Sequence, residues 1–297
     1  MKKMTILFTS FPDFSGNSKS LFMYMNNRYK ENMDLIWVIE NEEVLSNLKN
    51  EGIKAVKWYS EEYLELLNNA NVLFDTHGQF SNVNNNDKIY INLWHGMPIK
   101  KIGYLLEDEN LNDIDIAFLD GVSSNTDFIF VTSPFYSSII SSVFNINVKK
   151  VLPLGMPRLD DLFTPKNKKK FDNLINCKTS DFNKILIYLP TYRNGCGKTN
   201  DGQLSNENIL NLKKYNEESL IKYLEKNRYL LLVKYHPSEN TDVPRIQNDH
   251  IVYLDDPTMS KYMITLNEIL NYTDLLITDY SSIYIDYIIL EKPVVFI

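Results

Sequence analysis

The densest chemistry in the chain lies in Asn92-Leu93-Trp94-His95-Gly96-Met97-Pro98-Ile99-Lys100-Lys101-Ile102-Gly103. One of only four histidines closes an apolar run, Lys88 to Leu93, and small, permissive and basic residues follow at once. An imidazole exchanges protons near neutral pH, and glycine lets the backbone approach a ligand closely. With two lysines beside them, these residues suit an anionic substrate. Trp-His-Gly by itself reads equally well as a strand end with a satisfied structural histidine, so its companions decide.

Four further motifs follow apolar runs: Gly155-Met156-Pro157-Arg158-Leu159-Asp160, Pro190-Thr191-Tyr192-Arg193, Lys234-Tyr235-His236-Pro237 and Thr278-Asp279-Tyr280-Ser281-Ser282. Arg158 and Arg193 can each grip a phosphate bidentately. Ser281 and Ser282 open a predicted helix that carries Asp286. Hydroxyls there stand beside free N–H groups in the positive field of the helix, which suits phosphate. A plain cap by Asp279 or Ser281 accounts for the same residues, and each histidine or arginine taken singly also has a structural reading. What the residues share is a demand for several negative charges in one ligand, as in a nucleotide diphosphate.

The elements that must position them alternate. Strands are expected at Met4–Ser10, Leu35–Ile39, Ile53–Trp58, Val72–Asp75, Lys88–Leu93, Phe128–Thr132 and Val148–Leu154. Helices are expected at Asn17–Asn27, Glu42–Asn50, Ser60–Asn69 and Pro134–Phe144, with a polar stretch before Phe128. Near 160–182 the composition turns to lysine and polar residues, as in a hinge. Then come strands at Lys184–Leu189, Leu230–Lys234, Ile251–Leu254, Leu275–Thr278 and Val294–Ile297, and helices at Asn206–Lys226, Ser260–Leu270 and Ser282–Leu290. Such alternation predicts doubly wound parallel sheets. The expected organisation is two Rossmann-like domains, 1–160 and 183–297, joined by a linker at 161–182 and facing a central cleft. Ligands of such sheets sit beyond the carboxyl ends of the strands, where every motif above falls.

Composition narrows the function. The 297 residues carry a formal net charge of −7, against bulk nucleic-acid binding through a basic surface. Two cysteines, Cys177 and Cys196, do not make a disulfide scaffold and fit a reducing compartment; Cys196 has no C-x-x-C partner that would argue for a nucleophile or ligand. No apolar run reaches membrane-spanning length, so any membrane association is expected to be peripheral. No carboxylate cluster suggests a catalytic metal, and no cofactor is expected.

The motifs, with Ser18-Lys19-Ser20-Leu21 near the start and Asp286-Tyr287 near the end, run in an order that resembles the CDP-glycerol glycerophosphotransferase family of teichoic acid and capsule enzymes. The resemblance covers essentially the whole chain. It implies a GT-B architecture and transfer of glycerol phosphate from CDP-glycerol to a hydroxyl of a lipid-linked acceptor, at the cytoplasmic face of the membrane, with release of CMP. His95 is then the expected general base. His236, Arg193, Ser281 and Ser282 would hold the diphosphate and stabilise the departing CMP, and Asp286 would contact ribose or glycerol hydroxyls. Lys100 and Arg158 are further phosphate contacts, with Trp94, Gly96, Pro98, Pro190, Thr191 and Pro237 flanking the donor. Family members continue beyond Ile297 with helices that complete the second domain, so that domain is expected to be incomplete. A homo-oligomer is compatible with these features. CDP-ribitol as donor, a nucleotide sugar as donor, and a non-catalytic nucleotide-binding module are the alternatives.

Overall fold

The computed structural model describes residues 3–83, 87–107, 111–163, 168–191, 208–210, 212, 214–235 and 245–297. The chain divides into two units, Met1–Asp161 and Leu162–Ile297.

In the first unit, β1 (Met4–Phe8), β2 (Met33–Ile39), β3 (Ala55–Lys57), β4 (Val72–Asp75), β5 (Ile89–Asn92), β6 (Phe128–Phe130) and β7 (Val151–Leu152) form one sheet in the order β3-β2-β1-β4-β5-β6-β7. Every pairing is parallel. Helices α1 (Gly16–Tyr29), α2 (Glu42–Asn50), α3 (Glu61–Asn69), α4 (Asp113–Asn125) and α5 (Pro134–Phe144) make the crossovers, except that no helix stands between β4 and β5 among the described residues. The central strands are near-continuous apolar runs because both faces of a parallel sheet are covered. Phe8 shows why: it registers with Trp37 of β2 and Phe74 of β4, stacks on Phe74 at 5.1 Å and meets Phe22 of α1 edge-on at 5.4 Å. Helix starts follow the side-chain chemistry. Asn41 accepts from the N–H groups of Glu43 and Val44, and Ser60 from that of Tyr63.

The order of winding reverses at β1, which lies between β2 and β4. A crevice opens at such a reversal, beyond the carboxyl ends of the strands. The segments following β1, β4 and β5 all emerge there.

The second unit repeats the scheme with α6 (Lys168–Ile175), β8 (Lys184–Leu189), α7 (Glu217–Asn227), β9 (Tyr229–Val233), β10 (Ile251–Tyr253), α8 (Asp256–Lys261), α9 (Leu266–Asn271), β11 (Leu275–Thr278), α10 (Ile283–Tyr287) and β12 (Val294–Phe296). Its strand order is β10-β9-β8-β11-β12, again parallel, with the reversal at β8.

The structure corrects several expectations. The polar stretch before Phe128 contains α4, whose start is a capping box between Asn112 and Asp115. Its apolar residues gave no clean helical stripe because some face outward, Ile114 being 81% exposed. Within the expected linker, α6 buries Phe171, Leu174 and Ile175, spacing that fits one helical face. The single helix expected at 260–270 is two. Met263 adopts φ +57°, and Thr265 opens α9 with a capping box to Glu268. The strand expected at 148–154 shrinks to Val151–Leu152, preceded by a short 3-10 turn. Among the described residues no helix is long and apolar enough to cross a membrane.

Candidate active site

His95 follows β5 in the first unit, and its ring is fixed by its neighbours. Its Nδ1 lies 2.9 Å from the carbonyl oxygen of Thr76, just after β4. A carbonyl only accepts, so Nδ1 carries the hydrogen and the neutral ring holds its basic lone pair on Nε2. His77 stacks flat on His95, with centroids 3.8 Å apart and planes within 2°. Trp94 leans on the same ring at 4.0 Å and 40°. The hydroxyl of Thr76 meets Nδ1 of His77 at 2.7 Å, so one threonine serves both imidazoles.

Local backbone strain accompanies this placement. Trp94 has φ +55°, the left-handed region that costs a side-chain-bearing residue roughly 1–2 kcal/mol. Its N–H donates to Oδ1 of Asn92 at 2.7 Å, and its indole packs edge-on against Phe144. The Trp94 ring is therefore core, only 7% exposed, and supports His95 where a donor contact was expected.

Asn17, at the start of α1, clamps the loop from the other side. Its Nδ2 donates to the carbonyls of Leu93 at 3.2 Å and Trp94 at 2.8 Å, and its Oδ1 accepts from the N–H of Arg158 at 3.1 Å. Only this amide orientation satisfies all three groups. Arg158 in turn donates from Nη1 to the carbonyl of His95 at 2.5 Å, which brings it beside the imidazole loop. Gly96 is buried, and Pro98 lines a narrow apolar cleft with Met97, Val131, Thr132, Tyr136, Ile140 and Met156. Lys100 stands half-exposed further along the loop.

Beneath the histidines lies a buried polar pair. Asp75 accepts from the Phe80 N–H at 2.9 Å and the Tyr90 hydroxyl at 2.6 Å. Burial pushes its carboxyl up to about 7, against the lowering effect of bonds from Phe80, Tyr90, Gly78 and Gln79. The turn that follows needs glycine. Gly78 has φ +76°, and a Cβ there would stand 2.8 Å from the ring of Phe118.

In the second unit, the ends of β8 and β11 are joined through one carboxylate. Asp279 Oδ1 accepts from the N–H of Thr191 at 2.9 Å and of Ser281 at 3.2 Å, while Thr278 Oγ1 donates to the carbonyl of Leu189 at 2.6 Å. Pro190 and Thr191 are buried at this junction. Asp279 takes up the Ser281 N–H in the turn before α10, whose N-cap, Ser282, has no side-chain capping bond. The hydroxyl-bearing Ser281 and Ser282 stay half-exposed, and α10 has only five residues, a short source of dipole. Asp286 turns inward, 3% exposed, where Asn267 Nδ2 donates to it at 3.3 Å. That bond ties α10 to α9. Arg193, His236 and Pro237, with Cys196, lie outside the described residues.

The structure therefore brings His95 and Arg158 together in one unit, and Thr191 and Ser281 together in the other. It adds residues that sequence reasoning passed over: Asn17, Asp75, Thr76, His77 and Tyr90. A signal for His77 was present. Phe74-Asp75-Thr76-His77-Gly78 repeats the pattern of an apolar strand ending in histidine and glycine that marked His95.

Two doubly wound parallel sheets, each with polar residues gathered at a winding reversal, define a Rossmann-type α/β protein built to hold a ligand at its strand ends. Within that class, the chain belongs to the CDP-Glycerol:Poly(glycerophosphate) glycerophosphotransferase family, which it matches over residues 1–297, as its sequence motifs led us to expect. Family members are transferases. The chain is 28% identical over 308 residues to the teichoic acid glycerol-phosphate primase of Bacillus subtilis (strain 168), covering 99% of this chain and 73% of the primase. It is 29% identical over 315 residues to the teichoic acid ribitol-phosphate polymerase TarL of Staphylococcus aureus (strain NCTC 8325 / PS 47), covering 99% of this chain and 50% of the polymerase. The solved structure of the wall teichoic acid polymerase TagF shares the fold, with a TM-score of 0.77 and 23% identity over 100% of this chain and 71% of that one.

Proposed function

We propose that this chain transfers glycerol phosphate from CDP-glycerol to a hydroxyl of a lipid-linked acceptor, its two Rossmann-like units serving as the halves of a GT-B-like enzyme. The observation that carries the reading is the tethered tautomer of His95, whose Nδ1–H bond to Thr76 leaves Nε2 as the basic nitrogen. In the reaction, the acceptor hydroxyl attacks the phosphorus that bears glycerol and gives its proton to Nε2. The bond from that phosphorus to the bridging oxygen breaks, and CMP departs with the bond's electron pair. Phosphoryl transfer depends mostly on positioning and charge stabilisation.

Arg158, held at the His95 carbonyl, is the described cation suited to the transferring phosphate. The junction of Thr191, Asp279, Ser281 and Ser282 is assigned to the donor, together with Arg193 and His236, whose roles rest on the family resemblance. The work would take place on the cytoplasmic face of the membrane, where a lipid-linked acceptor presents its hydroxyl.

The test follows CMP release from CDP-glycerol in the presence of a lipid-linked acceptor, with CDP-ribitol and a nucleotide sugar run in parallel. The ribitol arm matters because the glycerol and ribitol relatives stand at nearly equal identity, 28% and 29%. Turnover with CDP-glycerol that disappears in His95→Ala supports the reading. Wild-type turnover in that variant rejects the base assignment, and binding of CDP-glycerol without turnover rejects the activity. His236→Ala is expected to weaken donor use, and unchanged donor KM and kcat would remove His236 from the site.

A further inference from the structure

His95 is gripped on both faces. His77 lies 3.8 Å from it with the planes within 2°, and Trp94 lies 4.0 Å away at 40°. Two rings that close to one centroid cannot share a face, so the imidazole is held between them and meets other groups only through its edge. One side of that edge is already committed, Nδ1 to the carbonyl of Thr76. The orientation of Nε2 is therefore set by the planes of the flanking rings.

The two rings are not equivalent. Trp94 belongs to the buried core, whereas His77 is half-exposed and its ring has anchors of its own. Its Nδ1 meets the Thr76 hydroxyl at 2.7 Å and Phe11 abuts its ring edge-on at 5.7 Å, while its backbone N–H donates to Oε1 of Gln79 at 2.9 Å. A side chain that merely filled space would need no such anchoring. A platform that must keep a reacting group in one plane does, because a site's supporting groups must themselves be locked.

We propose that His77 is a positioning residue whose flat ring fixes the plane of His95, so that Nε2 meets the acceptor hydroxyl in one orientation. The stacked face of His77 is what the reaction uses. This rests on His95 being the base, as set out above. An aromatic ring without nitrogen should then substitute, and a side chain of similar bulk without a plane should not.

The experiment compares His77→Phe, His77→Leu and His77→Ala in the full chain, measuring kcat and donor KM with CDP-glycerol and a lipid-linked acceptor. The urea midpoint of each variant checks folding. Leucine and alanine should lower kcat on the order of ten- to a hundredfold, the scale of a misplaced reacting group, with donor KM within about twofold. Phenylalanine should recover most of the loss. Wild-type kcat in the leucine variant, or a phenylalanine variant no better than leucine, overturns the proposal. Should the alanine variant fail to fold, the phenylalanine and leucine pair decides. His95→Ala runs beside them. Its inactivity together with equal phenylalanine and leucine values sinks the platform alone, whereas its full activity sinks the base assignment itself.

Discussion

Replacing Asn17 tests whether the loop carrying His95 is held by one buried amide. Asn17 is fully buried, and its side chain satisfies two carbonyls and one N–H, at 3.2, 2.8 and 3.1 Å. Asn17→Ala leaves all three without that partner. A buried backbone group that loses its hydrogen bond costs about 1–3 kcal/mol, and partial relaxation brings the expected total to roughly 3 kcal/mol. Asn17→Asp is the sharper variant, because size is kept while the donating NH2 becomes an oxygen facing two carbonyl oxygens. At neutral pH that carboxylate is buried against like partial charges, so it should destabilise at least as much as alanine.

The sign of its pH dependence follows. Burial and the two carbonyls raise the introduced carboxyl above its unfolded value. Its protonated form can donate, so stability returns as pH falls and is lost as pH rises through the raised value. The assay is convenient, since all three tryptophans, Trp37, Trp58 and Trp94, lie in the first unit. Urea melts followed by tryptophan fluorescence therefore report that unit, with a lowered midpoint and unchanged slope expected. An Asn17→Asp variant that melts with wild type at pH 7, or whose deficit does not shrink on acidification, refutes the reasoning.

Three other outcomes are expected. With its carboxyl at about 7 in the fold against an ordinary value of 3.8, Asp75 should cost the first unit stability as pH rises across that interval, by up to about 4 kcal/mol; Asp75→Asn should flatten this slope in fluorescence melts at several pH values. Gly78→Ala forces a Cβ toward the Phe118 ring at a φ of +76° and should lower the same melting midpoint by an equivalent of about 1–3 kcal/mol. Asp279→Ala releases the N–H groups of Thr191 and Ser281 and should raise donor KM about tenfold, roughly 1.4 kcal/mol, with a smaller change in kcat.

The fold was legible wherever hydrophobic period and punctuation agreed. Glu42–Asn50, Val72–Asp75, Pro134–Phe144, Lys184–Leu189 and Leu275–Thr278 were read from sequence with the bounds the structure shows. Where they disagreed, the reading failed for identifiable reasons. The capping box of Thr265 and Glu268 outweighs the helical period running through it, and outward-facing Ile114 and Phe118 blur the stripe of α4. At the site, the histidine and arginine were visible as residue types. The groups that orient them were not, because Asn17 reads locally as a helix-start residue, and its partners are 76 to 141 positions away. Trp94 and Asp286 show the converse difficulty, since the sequence beside a motif does not tell that the side chain is buried.

The clamp of Asn17 on residues 93, 94 and 158 also bears on when the site comes into being. The bond from Asn17 to Arg158 spans 141 positions, and nearly the whole first unit lies between them. During synthesis no shorter length of chain can close it, however well β1 and its neighbours have already paired. Contacts so distant in sequence form late and slowly. The imidazole loop is thus completed only when residue 158 arrives, and a nascent or nicked first unit would hold a sheet without a finished site.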